Sequence, residues 1–197
     1  MNKVEDPSGG NPIDQEFAEI FSKYLPQDLK MRDTIKVLSV GCGFAYEATG
    51  LLDVLPQADY RGIDTDKLQI EAAVKRHQGL SSGRFRAEVA DIFQTNSLGE
   101  DNDLIIIRNP AFTANRSTRE IQTSWTEVII NCTQALKIGG YIFLTSTNKA
   151  ELEHTMAIIN QDNGIQIING ITHNDIRQSG EGMPFKDDYI AVGLRLV

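Results

Sequence analysis

The sequence is short of the residues from which metal sites, disulfide frameworks and membrane spans are made. Its 197 residues hold two cysteines, Cys42 and Cys132, far apart and without CxxC spacing. Neither a disulfide framework nor a zinc site is indicated, and both thiols read as reduced, buried small residues. The three histidines, His77, His154 and His173, are scattered without ligand spacing, so no metal is expected. No apolar run approaches the roughly 18 to 20 residues of a membrane span. The opening MNKVEDPSGGNP lacks the hydrophobic segment of a secretory signal, and a cytoplasmic setting without a membrane is expected. Positive charge is scarce as well: 19 Lys and Arg against 27 Asp and Glu give a formal net charge of −8. Neutralising phosphates needs a surplus of Lys and Arg, so a generic nucleic-acid binder is disfavoured.

What is present is an ordinary globular composition, 41% hydrophobic and 23% charged, at a length that fits one domain. Residues 1–12 are polar and carry Pro7, Gly9, Gly10 and Pro12, the mark of a flexible arm. The domain is expected over 13–197. Apolar residues three and four apart (Ile13, Phe17, Ile20, Phe21, Tyr24) predict a helix that Pro26 stops. Thereafter strand and helix signals alternate. Strands are expected at Ile35–Val40, Tyr60–Ile63, Arg84–Ala90, Leu104–Ile107, Tyr141–Thr145, Ile165–Ile168 and Asp188–Val197. Helices are expected at Ala45–Leu55, from Asp66 to about His77 with Thr65 or Asp66 as N-cap, at Thr118–Leu136 and at Lys149–Asn160. The unbroken LIII of Leu104–Ile107 suits a strand covered on both faces. Alternation of this kind implies a doubly wound α/β fold: a mostly parallel seven-stranded sheet, helices on both faces, the last strand antiparallel. The stretch Asn169–Lys186 reads as a long loop with a lid or substrate role, and Glu181, Lys186, Asp187 and Asp188 as solvated loop and strand start.

In such a sheet ligands bind beyond the carboxyl ends of the strands. The first strand ends in SVGCGFAYE, whose Gly41 and Gly43 allow a tight turn and a close approach to a ligand. The second ends in Asp64, at about the 20-residue offset of a carboxylate that binds ribose hydroxyls. The third ends in Asp91, the fourth in Arg108, Asn109 and Pro110. A charge such as Arg108 after an apolar strand must be paired or face the pocket mouth. The dinucleotide fingerprint wants a glycine where Tyr46 stands, and Glu47 in the first helical turn would repel a pyrophosphate yet attract an ammonium or sulfonium group. A cationic adenosyl cofactor therefore fits better than NAD. With no GKS or GKT, nucleoside triphosphate hydrolysis is disfavoured.

VLSVGCGFAYE, GIDTD, VADIF, DLIIIRNPAF and LKIGGYIFLT, in that order over Ile35–Thr147, resemble the motifs of class I S-adenosylmethionine-dependent methyltransferases. The resemblance implies a cofactor, S-adenosyl-L-methionine, that leaves as S-adenosyl-L-homocysteine. It places Gly41 and Gly43 against the methionine portion, Asp64 at the ribose hydroxyls, and Asp91 with Ile92 at the adenine; Cys42, Glu47, Thr65, Arg108 and Asn109 are further cofactor-side candidates. Two positions depart from the family pattern, Ser39 where an acidic residue is usual and Ala45 where a third glycine is. Ser39, Glu47 and the Arg108–Asn109 pair are locally similar to chemotaxis-receptor glutamate methyltransferases, and the Asn109–Phe112 sequence NPAF is similar to the NPPY motif of amino-methyltransferases, broken by Ala111. Tyr46, Pro110, Phe112 and His173 are the acceptor-side candidates; Trp125 is an aromatic candidate more in keeping with core packing.

The expected activity is methyl transfer to a small-molecule or protein side-chain acceptor. The alternatives are a non-catalytic sensor or scaffold that binds S-adenosylmethionine or S-adenosylhomocysteine and, less favoured, an NAD-dependent oxidoreductase.

Overall fold

The computed structural model describes residues 12–80, 83–110, 119–161, 164–175 and 187–197. In chain order the elements are α1 (Pro12–Tyr24), α2 (Gln27–Lys30), β1 (Ile35–Val40), α3 (Ala48–Val54), β2 (Ala58–Asp64), α4 (Lys67–Arg76), β3 (Phe85–Val89), α5 (Thr95–Leu98), β4 (Asn102–Arg108), α6 (Arg119–Ala135), β5 (Leu136–Ser146), α7 (Lys149–Gln161), β6 (Ile165–His173) and β7 (Tyr189–Arg195). The strands form one sheet in the order β3-β2-β1-β4-β5-β7-β6. All neighbours run parallel except β7, which is antiparallel to both β5 and β6. Strand order reverses between β1 and β4, which opens a crevice at their carboxyl ends.

Alternation along the strands divides the core in two. Leu104 and Ile106 of β4 enter one cluster with α1, α3 and α4, whereas Ile105 and Ile107 enter the other with α6 and α7. That is why LIII is apolar without a break. The α1 face predicted from spacing is the buried one: Ile13, Phe17, Ile20, Phe21 and Tyr24.

α1 packs so closely on α3 that its backbone rests on Gly50. A Cβ there would lie 2.6 Å from Ala18 N and 2.7 Å from Phe17 Cβ. Gly50→Ala should cost about 1 to 3 kcal/mol as an overpacked contact, read as a lower urea midpoint and faster hydrogen exchange in α1. Ion pairs tie α1 at both ends, Asp14 to Arg76 at 2.9 Å and Lys23 to Asp175.

Several boundaries differ from expectation. α3 starts at Ala48 rather than Ala45, because Gly41, Gly43 and Ala45 are all left-handed (φ 64°, 54° and 49°) and the chain cannot enter a right-handed helix until it leaves them. β5 begins at Leu136, ahead of Gly139 and Gly140, and α2 and α5 are short turns with no strong periodic signal. β6 runs to His173, so Asn169–His173 belongs to a strand paired with β7 and not to the expected loop. Of that loop, residues 176–186 lie outside the described residues. α1 starts at Pro12, and the rest of the expected arm, 1–11, also lies outside them. Among the described residues no helix is long and apolar enough to cross a membrane.

Candidate functional site

A cavity of about 290 Å³ opens at the carboxyl ends of β1, β2 and β4. It is lined by Ser39, Gly41, Cys42, Gly43, Phe44, Tyr46, Glu47, Asp64, Thr65, Gln69, Ile92, Phe93, Arg108, Asn109 and Trp125. The left-handed glycines shape the β1–α3 turn into one wall. An added Cβ on Gly43 would come 2.6 Å from Gln69 Oε1, and one on Gly41 would come 3.3 Å from Trp125 Cη2. Any side chain at either position would intrude into the cavity wall and strain the backbone.

Ala45 adopts the same conformation with a Cβ, at a cost of about 1 to 2 kcal/mol. Its carbonyl is held by the ring of His77, whose Nε2 lies 2.9 Å away; since a carbonyl only accepts, Nε2 carries the hydrogen. The other nitrogen, Nδ1, then accepts from Thr49 Oγ1 at 3.1 Å. Burial of this neutral ring holds the His77 pKa below its usual value. Because the folded pKa is depressed, stability is whole above pH 6.5 and falls as the pH drops below that value, where the unfolded chain binds the proton more readily. Thermal melts of the protein should lose stability between pH 6.5 and 5 more steeply than those of His77→Gln.

Asp64, at the end of β2, is held facing the turn. Its Oδ2 accepts from Gly43 N at 2.8 Å and its Oδ1 from Asp66 N at 2.8 Å. Asp66 is the N-cap of α4, accepting from Leu68 N and Gln69 N. Ile92 and Phe93 give the opposite wall an apolar surface. Asp91 is not in that lining: its carboxylate turns back on its own loop, accepting from Phe93 N at 3.0 Å and Gln94 Nε2 at 3.0 Å.

The floor is an ionic cluster. Glu47 is fully buried; its Oε1 accepts from Ser39 Oγ and Tyr60 OH at 2.7 Å each, and its Oε2 from Arg108 Nη1 at 2.9 Å. Burial and the Glu47 charge push the Tyr60 phenol well above its usual pKa, so it stays a donor. Arg108 also grips Asp187 side-on, with Nη2 2.6 Å from Oδ2 and Nε 3.2 Å from each oxygen, and its guanidinium lies 4.4 Å from the Phe17 ring centre. Burial opposes the charge of Arg108, but Asp187 and Glu47 outweigh it and raise the pKa above the ordinary arginine value. Asn109, left-handed at φ 50°, donates from Nδ2 to Asp187 Oδ1 at 3.1 Å and accepts at Oδ1 from Thr147 N at 2.8 Å. Thr145 Oγ1 donates to the same Asp187 oxygen.

Asp187 is thus 1% exposed, not the solvated loop residue expected. The signal for it was Arg108 itself, a cation after an apolar strand that required a buried partner. Glu47, expected to attract a cationic ligand, is paired within the protein with Arg108. Burial first, and then the charges of Glu47 and Asp64, push the Cys42 thiol up, so it is not a thiolate at neutral pH. Tyr46 is held by Arg76, 5.0 Å from its ring centre, and by Phe44. Pro110 is buried next to Asn109 but is not in the lining, and Phe112 lies outside the described residues. His173 does not reach the cavity lining; it meets Tyr189 edge to face. Phe44, Gln69 and Phe93 line the cavity without having been expected there. Among the described residues no group of three or more His, Cys, Asp or Glu could hold a metal ion.

A protein-family model described as a methyltransferase domain matches residues 32–185. The search of curated proteins found no match. Among solved structures the chain is similar to a TehB-like SAM-dependent methyltransferase from Corynebacterium glutamicum, at 17% identity over 91% of this chain and 87% of that one, TM-score 0.60. It is also similar to magnesium protoporphyrin IX methyltransferase from Synechocystis with bound SAM (17% identity, 93% and 80% covered, TM-score 0.62). A third is precorrin-6y C5,15-methyltransferase from Geobacter metallireducens (12% identity, 87% and 85% covered, TM-score 0.58). At these identities the three likenesses speak to the fold.

Proposed function

We propose that this chain, which belongs to the methyltransferase-domain family and takes S-adenosyl-L-methionine as its cofactor, methylates a small molecule or a docked protein side chain in the cytoplasm. The observation that carries this reading is the cavity at the β1–β4 switch point, with its left-handed glycine turn on one side and the anchored Asp64 carboxylate on another.

The residues present fit the cofactor. Gly41, Cys42 and Gly43 leave room for the methionine portion, Asp64 and Thr65 offer a carboxylate and a hydroxyl to the ribose, and Ile92 with Phe93 offers an apolar slot for the adenine. Asp91 supports that slot indirectly, by bracing the turn that carries Ile92 and Phe93. The bound cofactor supplies an activated methyl carbon on a sulfonium, so what remains to the protein is positioning. Phe44, Tyr46, Phe93 and Trp125 line the same space, and aromatic faces near a sulfonium stabilise it by about 0.5 to 2 kcal/mol. The acceptor enters past Asn109 at the end of β4. α1, placed by its contacts with α3 and by the Phe17 ring under Arg108, forms part of the surface that selects it.

Turnover is tested by incubating the protein with S-adenosylmethionine and pools of small-molecule, peptide and RNA acceptors and measuring released S-adenosylhomocysteine. Release that depends on the small-molecule or peptide pool is expected. Tight cofactor binding without release on any pool would replace the enzyme by a sensor.

A further inference from the structure

β3 forms one edge of the sheet and pairs with β2 alone. An edge strand presents a row of unpaired main-chain groups, and proteins ordinarily blunt it. At the other edge, β6 meets β7 through two shifts of register on either side of Asn169, and such irregularities interrupt an edge. β3 carries no such device. Phe85–Val89 keeps an unbroken register with β2, and none of its five residues is buried. Tyr60 N donates to Arg84 O, and Ala90 N donates to Asp64 O. The even-numbered residues from Arg84 to Ala90 therefore turn their main-chain groups toward β2, and Phe85, Ala87 and Val89 turn theirs to the open edge.

The side chains alternate as well. Phe85 and Ala87 pack against the core that holds α1, α3 and α4, which puts Val89 on the same face, where it is 52% exposed. Arg86 and Glu88 stand exposed on the opposite face, on which α5 is a single turn of four residues. Among the described residues Arg86 has neither an ion-pair nor a hydrogen-bond partner. Glu88 is held by Arg61 through one oxygen only: Oε1 lies 2.6 Å from Nε and 2.5 Å from Nη2, and Oε2 is left over.

The strand FRAEV complements itself when reversed about Ala87. Laid antiparallel against a second copy with the two Ala87 residues opposite, Arg86 faces the partner's Glu88 and Glu88 faces the partner's Arg86. On the other face Phe85 and Val89 meet in the same reciprocal way. The backbone accepts this register, because the outward groups of Phe85, Ala87 and Val89 then oppose those of the partner's Val89, Ala87 and Phe85. Arg86 and Glu88 fall at the non-hydrogen-bonded positions, where Cα atoms are about 4.5 Å apart and side chains lie closest. Opposite charges facing each other there stabilise the pairing, and like charges weaken it.

We propose that β3 is a homodimer interface, at which two copies of this chain pair antiparallel through Phe85–Val89 about a twofold axis at Ala87. The contact is isologous, and the sheet runs on from one copy into the other. Arg86 and Glu88 do not line the cofactor cavity, so charge at the edge can be changed without touching that site.

Sedimentation velocity of the full chain over a concentration series should show a reversible monomer–dimer equilibrium. A monomer up to the solubility limit overturns the proposal. Arg86→Glu sets carboxylate against carboxylate in both facing pairs, and Glu88→Arg sets guanidinium against guanidinium. Each variant, checked for folding by its melt, should raise the dissociation constant at least about tenfold. Mixed in equal amounts, the two variants should pair with each other within about threefold of the wild-type affinity, because every facing pair is again opposite in charge. The exchanged variant Arg86→Glu/Glu88→Arg should dimerise with itself for the same reason, and it carries the test where a single variant fails to fold. Single variants that dimerise as tightly as the wild type place the interface elsewhere and overturn the proposal. So do monomeric single variants that stay apart when mixed, or an exchanged variant that folds and remains monomeric.

Discussion

Arg108→Met should lower the unfolding free energy by about 3 to 5 kcal/mol, the cost of removing one partner from a buried ionic cluster. The guanidinium is shared by two carboxylates that are both fully buried, Glu47 from the turn before α3 and Asp187 from the chain entering β7. Methionine fills a similar space beside Phe17 but donates no hydrogen bond, so the carboxylates lose their cation while the apolar packing is largely kept. The shift is read as a urea midpoint at unchanged slope. A double-mutant cycle with Glu47→Gln should show strong coupling, since the second change removes one of the charges the first leaves behind. A loss below about 1 kcal/mol would mean that the cluster behaves as a solvated surface pair.

How far the sequence discloses this site depends on whether the partners are near one another in the chain. Local patterns carry through: the apolar LIII of β4, the amphipathic face of α1 and the Asp66 cap each depend on a few neighbouring residues. The floor of the cavity does not depend on such patterns. Glu47 meets Arg108 across 61 positions, and Arg108 meets Asp187 across 79, so no periodicity links them. Only the requirement that a buried charge be compensated hints at the pairing, and it names no partner. The two departures from the family pattern become intelligible in three dimensions. Ser39 donates to a carboxylate that arrives from Glu47, and Ala45 accepts a left-handed conformation with its carbonyl pinned by His77. The sequence pattern ends β6 at Ile168, five residues short of His173, because Asn169 and Gly170 look like loop residues, yet β7 pairs past them with a shift in register.

Asp64→Ala should weaken binding of S-adenosylmethionine about 100-fold. The carboxylate fixes the glycine turn through Gly43 N and the start of α4 through Asp66 N, and it is the group proposed to hold the ribose. Losing a charge-assisted hydrogen bond costs about 1.5 to 3 kcal/mol, and about 2.7 kcal/mol corresponds to a factor of 100 in affinity. The fold should survive, because Asp64 is only half-buried and the strand it ends is paired on both sides. Calorimetric titration of the wild-type and Asp64→Ala proteins with S-adenosylmethionine, S-adenosylhomocysteine and NAD tests the cofactor site most directly. Both adenosyl ligands should bind the wild-type protein well below millimolar and the variant about 100-fold more weakly, with no binding of NAD to either. A wild-type protein that takes neither adenosyl ligand below millimolar concentration, or a variant that binds them as tightly, would contradict the account.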